Sequence, residues 1–255
     1  MKQIAVVILN WNGAALLERF LPTVIKNSGE IAHIYVADNG STDSSKELLN
    51  TKFPQVSIIE MPFNKGFAGG YNLALKDLNE PLFCLLNSDV APSENWLNPI
   101  ITAFKSDPQL AIAQPKILDE LKKTHFEYAG AAGGCLDALG YPFCRGRIFQ
   151  DIEEDLGQYN DSIEVFWATG ACMFIRNEVF NRLNGFDESY FAHQEEIDLC
   201  WRAKNLGYKV MYLGNSTVYH LGGSTLSNMN PKKTFLNFRN SLFSILKNMI
   251  TVNRS

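Results

Sequence analysis

Long apolar runs are missing from this sequence: no window holds the roughly 18 to 20 consecutive apolar residues that a membrane-spanning helix needs. The N-terminal "MKQIAVVILNWNG" meets Asn and Gly without a small-residue cleavage site, so no secretory leader is expected and a cytoplasmic protein is. Cysteine is scarce. Cys84, Cys135, Cys144, Cys172 and Cys200 are odd in number, scattered and without a C-x-x-C pair, which argues against a disulfide framework or a zinc knuckle. The signatures G-x-x-x-x-G-K-[ST], H-E-x-x-H, G-x-S-x-G and G-x-G-x-x-G are all missing, and with them most common nucleotide-binding and hydrolase classes. Acid is absent from the end of the chain. Asp198 is the last, and eight Lys and Arg follow it, so the formal charge of −4 divides into −12 up to Asp198 and +8 beyond. A basic end on an acidic protein suits local contact with phosphates or an anionic membrane surface, whereas a nucleic-acid partner calls for a broadly basic domain.

What is present is enough for one sizeable core: 255 residues, 46% of them hydrophobic. Four runs, "QIAVVILN", "HIYVAD", "QVSIIEM" and "LFCLLN", are aliphatic without polar alternation, the pattern of strands covered on both faces. Helix-length segments separate them at Ala14 to Asn27, Thr42 to Asn50 and Ala68 to Leu78. The resulting β-α-β-α-β-α-β order predicts an α/β fold with a parallel, Rossmann-like sheet. A further helix, Trp96 to Ser106, leads into the strand "LAIAQPKIL". Leu118 to Ile163 is polar and rich in Gly and aromatics, too long for an unstructured linker, and is expected to be an irregular or hairpin excursion near a site. "EVFWATGACMFIRNEVFNRLNGF" then restores strand and short helix.

Ligands of open parallel sheets bind outside the carboxyl ends of the strands. Four polar clusters fall there, "LNWNG", "ADNGSTD", "FNKGFAGG" and "LNSDV". Each alone has the composition of a turn, and their convergence points to a site. Asp89 ends an apolar strand, where a carboxylate either caps a turn or serves a hard cation that takes most of its oxygens from diphosphate and water. His220, in "STVYHLGG", is a satisfied turn residue or the partner of such a carboxylate at a Mn²⁺ site. Glu195, Glu196 and Asp198 open a helix, where the macrodipole favours acids, and Asp198 stands four residues before Arg202. The preceding "LNGFDESYFAHQ" has the composition of a site wall.

Taken together, "VVILNWNG", "VADNGSTDSS", "NKGFAGGYNLAL", "LLNSDV", "WATGACMFIRNEVFNRLNGFDESYF", "EEIDLCWRAKNLGYKV" and "VYHLGG" resemble, in order, the bacterial family-2 glycosyltransferases of the rhamnosyltransferase-like branch, from Ile4 to about Lys247. The resemblance implies a GT-A fold, a nucleotide-diphospho-sugar donor (dTDP or UDP), a divalent metal (Mn²⁺ or Mg²⁺) and inversion at the anomeric carbon. It implies that Asn10, Asn12 and Asp38 line the nucleoside pocket, with Asp38 on the base, and that Asn64, Gly66 and Asn72 lie where the third loop closes over the nucleotide. Asn87, Ser88 and Asp89 occupy the place of the D-x-D motif, with an amide where the first acid usually stands, and His220 that of the later metal-binding histidine. Glu195 and Glu196 match the family's E-D pair, whose second member is the general base, with Glu in place of Asp. Asp198 supports them. Thr169 and Gly170, within "WATGA", match the segment beneath the donor sugar.

The implied activity is transfer of a sugar, rhamnose favoured, to a growing cell-surface glycan or lipid-linked acceptor. A catalytically inactive nucleotide-sugar-binding protein is the alternative that Asn87 and Glu196 leave open. Arg145 and Arg147 are either surface residues or contacts to acceptor or phosphate. The expected division is a catalytic domain over 1–230 and a basic amphipathic helix over 231–255, with Phe235, Phe238, Leu242, Ile245 and Met249 on one stripe. That stripe either packs on the catalytic domain or rests on the inner membrane leaflet beside Lys232, Lys233, Arg239 and Lys247.

Overall fold

The computed structural model describes residues 2–128, 130–222 and 231–249. The side chains of Lys232 and Lys233, all of Arg254 and the chain just before the expected 230/231 boundary lie outside the described residues. The four apolar runs form β1 (Ile4–Asn10), β2 (Ala32–Asp38), β3 (Ser57–Glu60) and β4 (Leu82–Asn87), separated by α1 (Ala14–Ser28), α2 (Ser45–Lys52) and α3 (Gly66–Leu75). These strands are parallel, in the order β3-β2-β1-β4, with Val6 opposite both Ile34 and Cys84. Burial on both faces explains the lack of alternation. Ala5 and Val7 pack with Tyr71 and Ala74 of α3, while Ile4, Val6 and Ile8 pack with Leu17 and Leu21 of α1. Each such Val or Ile contributes about 1.5–3 kcal/mol of transfer free energy. The second helix starts at Ser45, three residues after the expected Thr42. The amides of Thr42 and Asp43 are taken by the Asn12 side chain, and Asp43 Oδ1 accepts from Ser45 N at 3.0 Å.

Beyond β4 come β5 (Val90–Pro92), α4 (Leu97–Ser106) and β6 (Leu110–Asp119). The excursion holds two small hairpins, β7 (Gly134–Leu136) with β8 (Pro142–Cys144) and β9 (Arg147–Ile148) with β10 (Asp151–Ile152), before β11 (Ser162–Glu164). The chain closes with β12 (Cys172–Arg176), α5 (Asn177–Arg182), α6 (Glu195–Asn205), β13 (Lys209–His220) and α7 (Pro231–Met249). The nine-stranded sheet is mostly parallel but not wholly so: β12 is inserted antiparallel between β4 and β6. Its direction follows from where it starts. Ala171 sits at the carboxyl end of β4, its carbonyl accepting from Asn87 N at 3.0 Å, so a strand leaving that point must run back toward the opposite edge.

The last helix packs with its polar stripe inward. Leu236, Asn240, Ser244 and Asn248, spaced by four, are buried, while Phe235, Phe238, Leu242 and Met249 of the expected apolar stripe face outward, Phe238 at 65% exposure and Leu242 at 60%. The reason is the surface it meets, which offers polar groups. Asp198 is fully buried at the start of α6, and its carboxylate accepts from Arg202 Nε (2.7 Å), Lys247 Nζ (3.1 Å) and Asn248 Nδ2 (3.0 Å). Removing one member of a buried ion cluster costs about 3–5 kcal/mol because the remaining charges lose their compensation. Asp198→Ala is therefore expected to destabilise the fold by roughly that amount, read as a lowered urea midpoint with an unchanged slope.

Candidate active site

The carboxyl edge of the parallel strands is assembled by asparagine side chains. Asn10, at the end of β1, donates through Nδ2 to Asp38 Oδ2 and to Ser41 Oγ, both at 3.2 Å. Asp38 accepts from Ser41 N at 2.9 Å through its other oxygen and is fully buried. Each of its oxygens thus takes one hydrogen bond from the protein. Asn12 adopts a left-handed φ of 52°, and its Oδ1 accepts from the amides of Thr42 (2.7 Å) and Asp43 (3.3 Å), stapling the first loop to the second. Asn39 joins the second loop to the third: Nδ2 donates to Asn64 Oδ1 (3.1 Å) and Gly66 O (3.0 Å), and Oδ1 accepts from Lys65 N (2.9 Å). Gly66, at φ +72°, lies so close to Phe191 O that a Cβ would sit 2.6 Å from it. Asn72, on α3, holds the chain before α6, donating to Phe186 O (2.9 Å) and accepting from Phe186 N (2.8 Å).

On the other side of β1, the end of β4 meets the end of β13. Asp89 Oδ1 is 3.1 Å from His220 Nε2, Asn87 Nδ2 is 3.5 Å from the same nitrogen, and Glu127 Oε1 is 3.5 Å from His220 Nδ1. All three titratable groups are buried. Burial works against a charged imidazole, but the two carboxylates outweigh it and raise the pKa of His220 to about 10. Thr169 donates its amide to Gln114 Oε1 (3.0 Å), and Gly170 lies against the Phe67 ring. Ser88 borders the first loop, its Oγ 3.8 Å from where a Cβ on Gly13 would be.

The wall continues from this segment to α6, since Ala168 N donates to Cys200 Sγ at 3.4 Å, one turn below Glu196. The approach to Glu195 and Glu196 is unusual backbone. Phe191, His193 and Gln194 have φ of 63°, 70° and 71°, a conformation that costs non-glycine residues of order 1–3 kcal/mol each. Glu195 is buried, and burial together with the adjacent Glu196 charge pushes its carboxyl well above the usual range. Glu196 keeps a partly exposed edge, but its Oε2 is enclosed without a hydrogen-bond partner. Desolvation raises its pKa to about 7, against the pull of the amides of Glu196 and Gln194.

The expected site residues therefore fall into three connected groups: Asn10, Asn12 and Asp38; Asn64, Gly66 and Asn72; and the arc from Asn87 and Asp89 through Thr169 and Gly170 to Glu196. Asp198 stands apart, buried beneath α6 and serving its packing on α7. Asn39, Ser41 and Glu127 had not been singled out. The first two lie inside the quoted "ADNGSTD", where they passed for turn residues, and Glu127 lies in the excursion, which carries no periodicity. Arg145 and Arg147 are occupied within the excursion. Arg145 pairs with Asp161 at 2.7 Å over the Tyr159 ring, and Arg147 donates to Phe149 O at 2.8 Å over Tyr128.

Comparison with known proteins gives the family and the fold. The model of the family described as "Glycosyl transferase family 2" matches residues 5–183. The N-acetylglucosaminyl-diphospho-decaprenol L-rhamnosyltransferase of Mycobacterium tuberculosis is 26% identical over 239 residues, covering 84% of this chain and 75% of its own. Among solved structures, GalNAc-T7 with UDP, GalNAc and Mn²⁺ superposes with a TM-score of 0.74 at 16% identity, over 95% of this chain and 48% of its own. The mannosyltransferase PcManGT from Pyrobaculum calidifontis, in complex with GDP-Man and Mn²⁺, gives 0.61 at 16% identity, over 88% and 58%. This chain thus spans about half of each of those two structures, and the likeness is one of fold, GT-A. With a family match that runs through β1 to α5, the chain belongs to glycosyl transferase family 2.

Proposed function

We propose that this glycosyltransferase moves a sugar, rhamnose favoured, from a dTDP- or UDP-linked donor to a hydroxyl of a cell-surface glycan or lipid-linked acceptor, with inversion. The observation that carries the reading is Glu196, a carboxylate at the carboxyl edge with one oxygen enclosed and unpartnered and a pKa raised to about 7. A base acts best when its pKa lies near the working pH. Glu196 accepts the proton of the acceptor hydroxyl as that oxygen attacks the anomeric carbon and the bond to the diphosphate breaks on the opposite face. Buried Glu195 stands beside it, its carboxyl pushed well above the usual range by burial and by the Glu196 charge. The preference for rhamnose is supported by the resemblance of the motifs to the rhamnosyltransferase-like branch and by the mycobacterial relative's name.

The donor set fits a divalent cation that takes the place of the proton Asp89 and His220 Nε2 share. Asp89 and His220 converge from two strand ends, and Glu127 stands behind His220 as the carboxylate that commonly orients a metal-bound imidazole. One or two protein ligands suffice where phosphate oxygens complete the shell. A bound Mn²⁺ or Mg²⁺ supplies charge neutralisation to the departing diphosphate. Asn87 contributes an amide beside that pair, and Thr169 with Gly170 supports the donor sugar, the small residue allowing close backbone approach.

The outward apolar stripe of α7 supports contact with the inner membrane leaflet, where a lipid-linked acceptor resides. Among the described residues no helix is long and apolar enough to cross a membrane. Leu139 and Tyr141, at the tip between β7 and β8, are exposed and flank Gly140, which abuts Ile245 of α7, so they extend the same surface. Arg239 bonds Ser189 O and Lys247 bonds Asp198, so among the described side chains of α7 the apolar ones make the outward surface.

Glu196→Gln is expected to lower transfer by about 10²–10⁴ while nucleotide binding persists, and wild-type kcat/KM should rise with pH through about 7, where Glu196 loses its proton. Full transfer by the variant would refute the base, and no transfer by the wild type with any donor would favour the inactive binding protein. Thermal unfolding with dTDP or UDP at about a hundred times Kd should shift by roughly 5–10 °C. The shift should need Mn²⁺ or Mg²⁺ and shrink in Asp89→Asn. On vesicles of anionic phospholipid, Phe238→Ser with Leu242→Ser should weaken binding by roughly tenfold or more, as each lost apolar burial costs about 1.5–3 kcal/mol. Equal binding by wild type and variant would exclude α7 as the contact.

A further inference from the structure

The turn that leads into Glu196 has few bonds of its own, among them Phe191 N to Glu188 O at 3.1 Å and Ala192 N to Tyr190 O at 2.7 Å. Gln194, the N-cap of α6, is left-handed and makes no side-chain capping bond. Phe191 and His193 are left-handed as well, and none of the three is glycine. Such conformations persist only where the surroundings over-determine them. Much of that surrounding is one helix. Asn240 of α7, fully buried, points its Nδ2 at three carbonyls of this turn: Tyr190 O at 3.1 Å, Ala192 O at 3.0 Å and His193 O at 2.7 Å. Its neighbour Arg239 donates to Ser189 O (3.0 Å) and Tyr190 O (3.1 Å), and Ser244 Oγ meets the Tyr190 hydroxyl at 2.9 Å.

We infer that Asn240 is a positioning residue for Glu196, clamping residues 190–193 in the left-handed turn that aims the first turn of α6 at the acceptor. The inference rests on the reading of Glu196 as the base. The chemistry calls for an amide. An apolar side chain in that place would take the amide donor from the part-buried carbonyls of Ala192 and His193, at about 1–3 kcal/mol each, while Tyr190 O keeps Arg239 and the Ala192 amide, and a carboxylate would face all three with like charge. The loop is fastened on its other side by Phe67 N, which donates to Phe191 O at 2.9 Å, so the donor-side loop and the C-terminal helix grip it between them. A helix far along the chain from the nucleotide loops thereby becomes part of the catalytic unit. Misplacing a reacting group by about 1 Å costs on the order of 10²-fold in rate, which sets the expected effect.

The test compares Asn240→Ala with Asn248→Ala, an equally buried amide of α7 that bonds Asp198 and Ser244 O and touches none of these carbonyls. Asn240→Ala should lower kcat by about a hundredfold with donor KM unchanged, and should speed amide hydrogen exchange over residues 191–196. Asn248→Ala should lower thermal stability without either effect. Asn240→Ser, which keeps one donor, should fall between and serves if the alanine variant does not fold. Unchanged exchange in the Asn240 variants would overturn the clamp whichever residue is the base. Faster exchange with unchanged kcat, while Glu196→Gln is inactive, would overturn the positioning role and leave the base standing. An active Glu196→Gln would overturn the base, and with it the positioning role, whatever the exchange shows.

Discussion

A carboxylate that is to take a proton from an alcohol near neutral pH must be kept from the partners that carboxylates ordinarily find. On the reading proposed for Glu196, that constraint organises the end of this molecule. At a helix N-terminus a glutamate normally gains from the macrodipole and free amides, which lower its pKa. Glu196 gains from two amides yet still titrates near 7, because burial outweighs them. The burial has identifiable sources. Glu195 fills the space beside it, Ala168 brings the "WATGA" segment against Cys200, and the left-handed turn folds the approaching chain over the start of α6. The cost falls on backbone strain and buried polar groups, and α7 offsets it with hydrogen bonds from a face that is polar for that purpose.

The same logic explains why asparagine recurs around the edge. Asn10, Asn12, Asn39, Asn64 and Asn72 each join segments distant in sequence, and Asn240 does so from the C-terminal helix. A short amide offers donor and acceptor together and tolerates left-handed backbone, as at Asn12. It also adds no charge, which matters where a diphosphate and a proton acceptor must keep their own electrostatics. Loops held this way are cross-linked without the low-dielectric penalty of buried ions.

Much of this was legible. Uninterrupted aliphatic runs announced buried parallel strands, and the polar clusters after them announced the ligand edge, because direction in a parallel sheet fixes which ends converge. Antiparallel β12 was not legible. Its orientation depends on the excursion returning the chain to the carboxyl edge, a tertiary fact with no local signature. Nor was the orientation of α7. Phe235, Phe238 and Leu242 have helical spacing, and a spacing reveals that a stripe exists without revealing which face the rest of the molecule will want. Asn240, Ser244 and Asn248 are spaced by four as clearly, but polar stripes pass for solvated surface unless the facing element is known to present carbonyls and a buried carboxylate.

Glu127 alters the meaning of the departure at Asn87. Read along the chain, an amide where the motif usually has its first acid weakens the case for a cation, since one negative charge is gone. In space, Glu127 Oε1 stands 3.5 Å from one nitrogen of His220 while Asp89 Oδ1 stands 3.1 Å from the other, so two carboxylates already flank the imidazole. A third at position 87, whose amide nitrogen is 3.5 Å from His220 Nε2, would crowd three negative charges around one buried ring. The acid absent from position 87 thus has a counterpart at the same edge, contributed from the excursion by a residue that no motif includes. Sites on this fold are assembled at an edge rather than along a segment, and a substitution within a motif acquires its meaning from what the other strands bring to that edge.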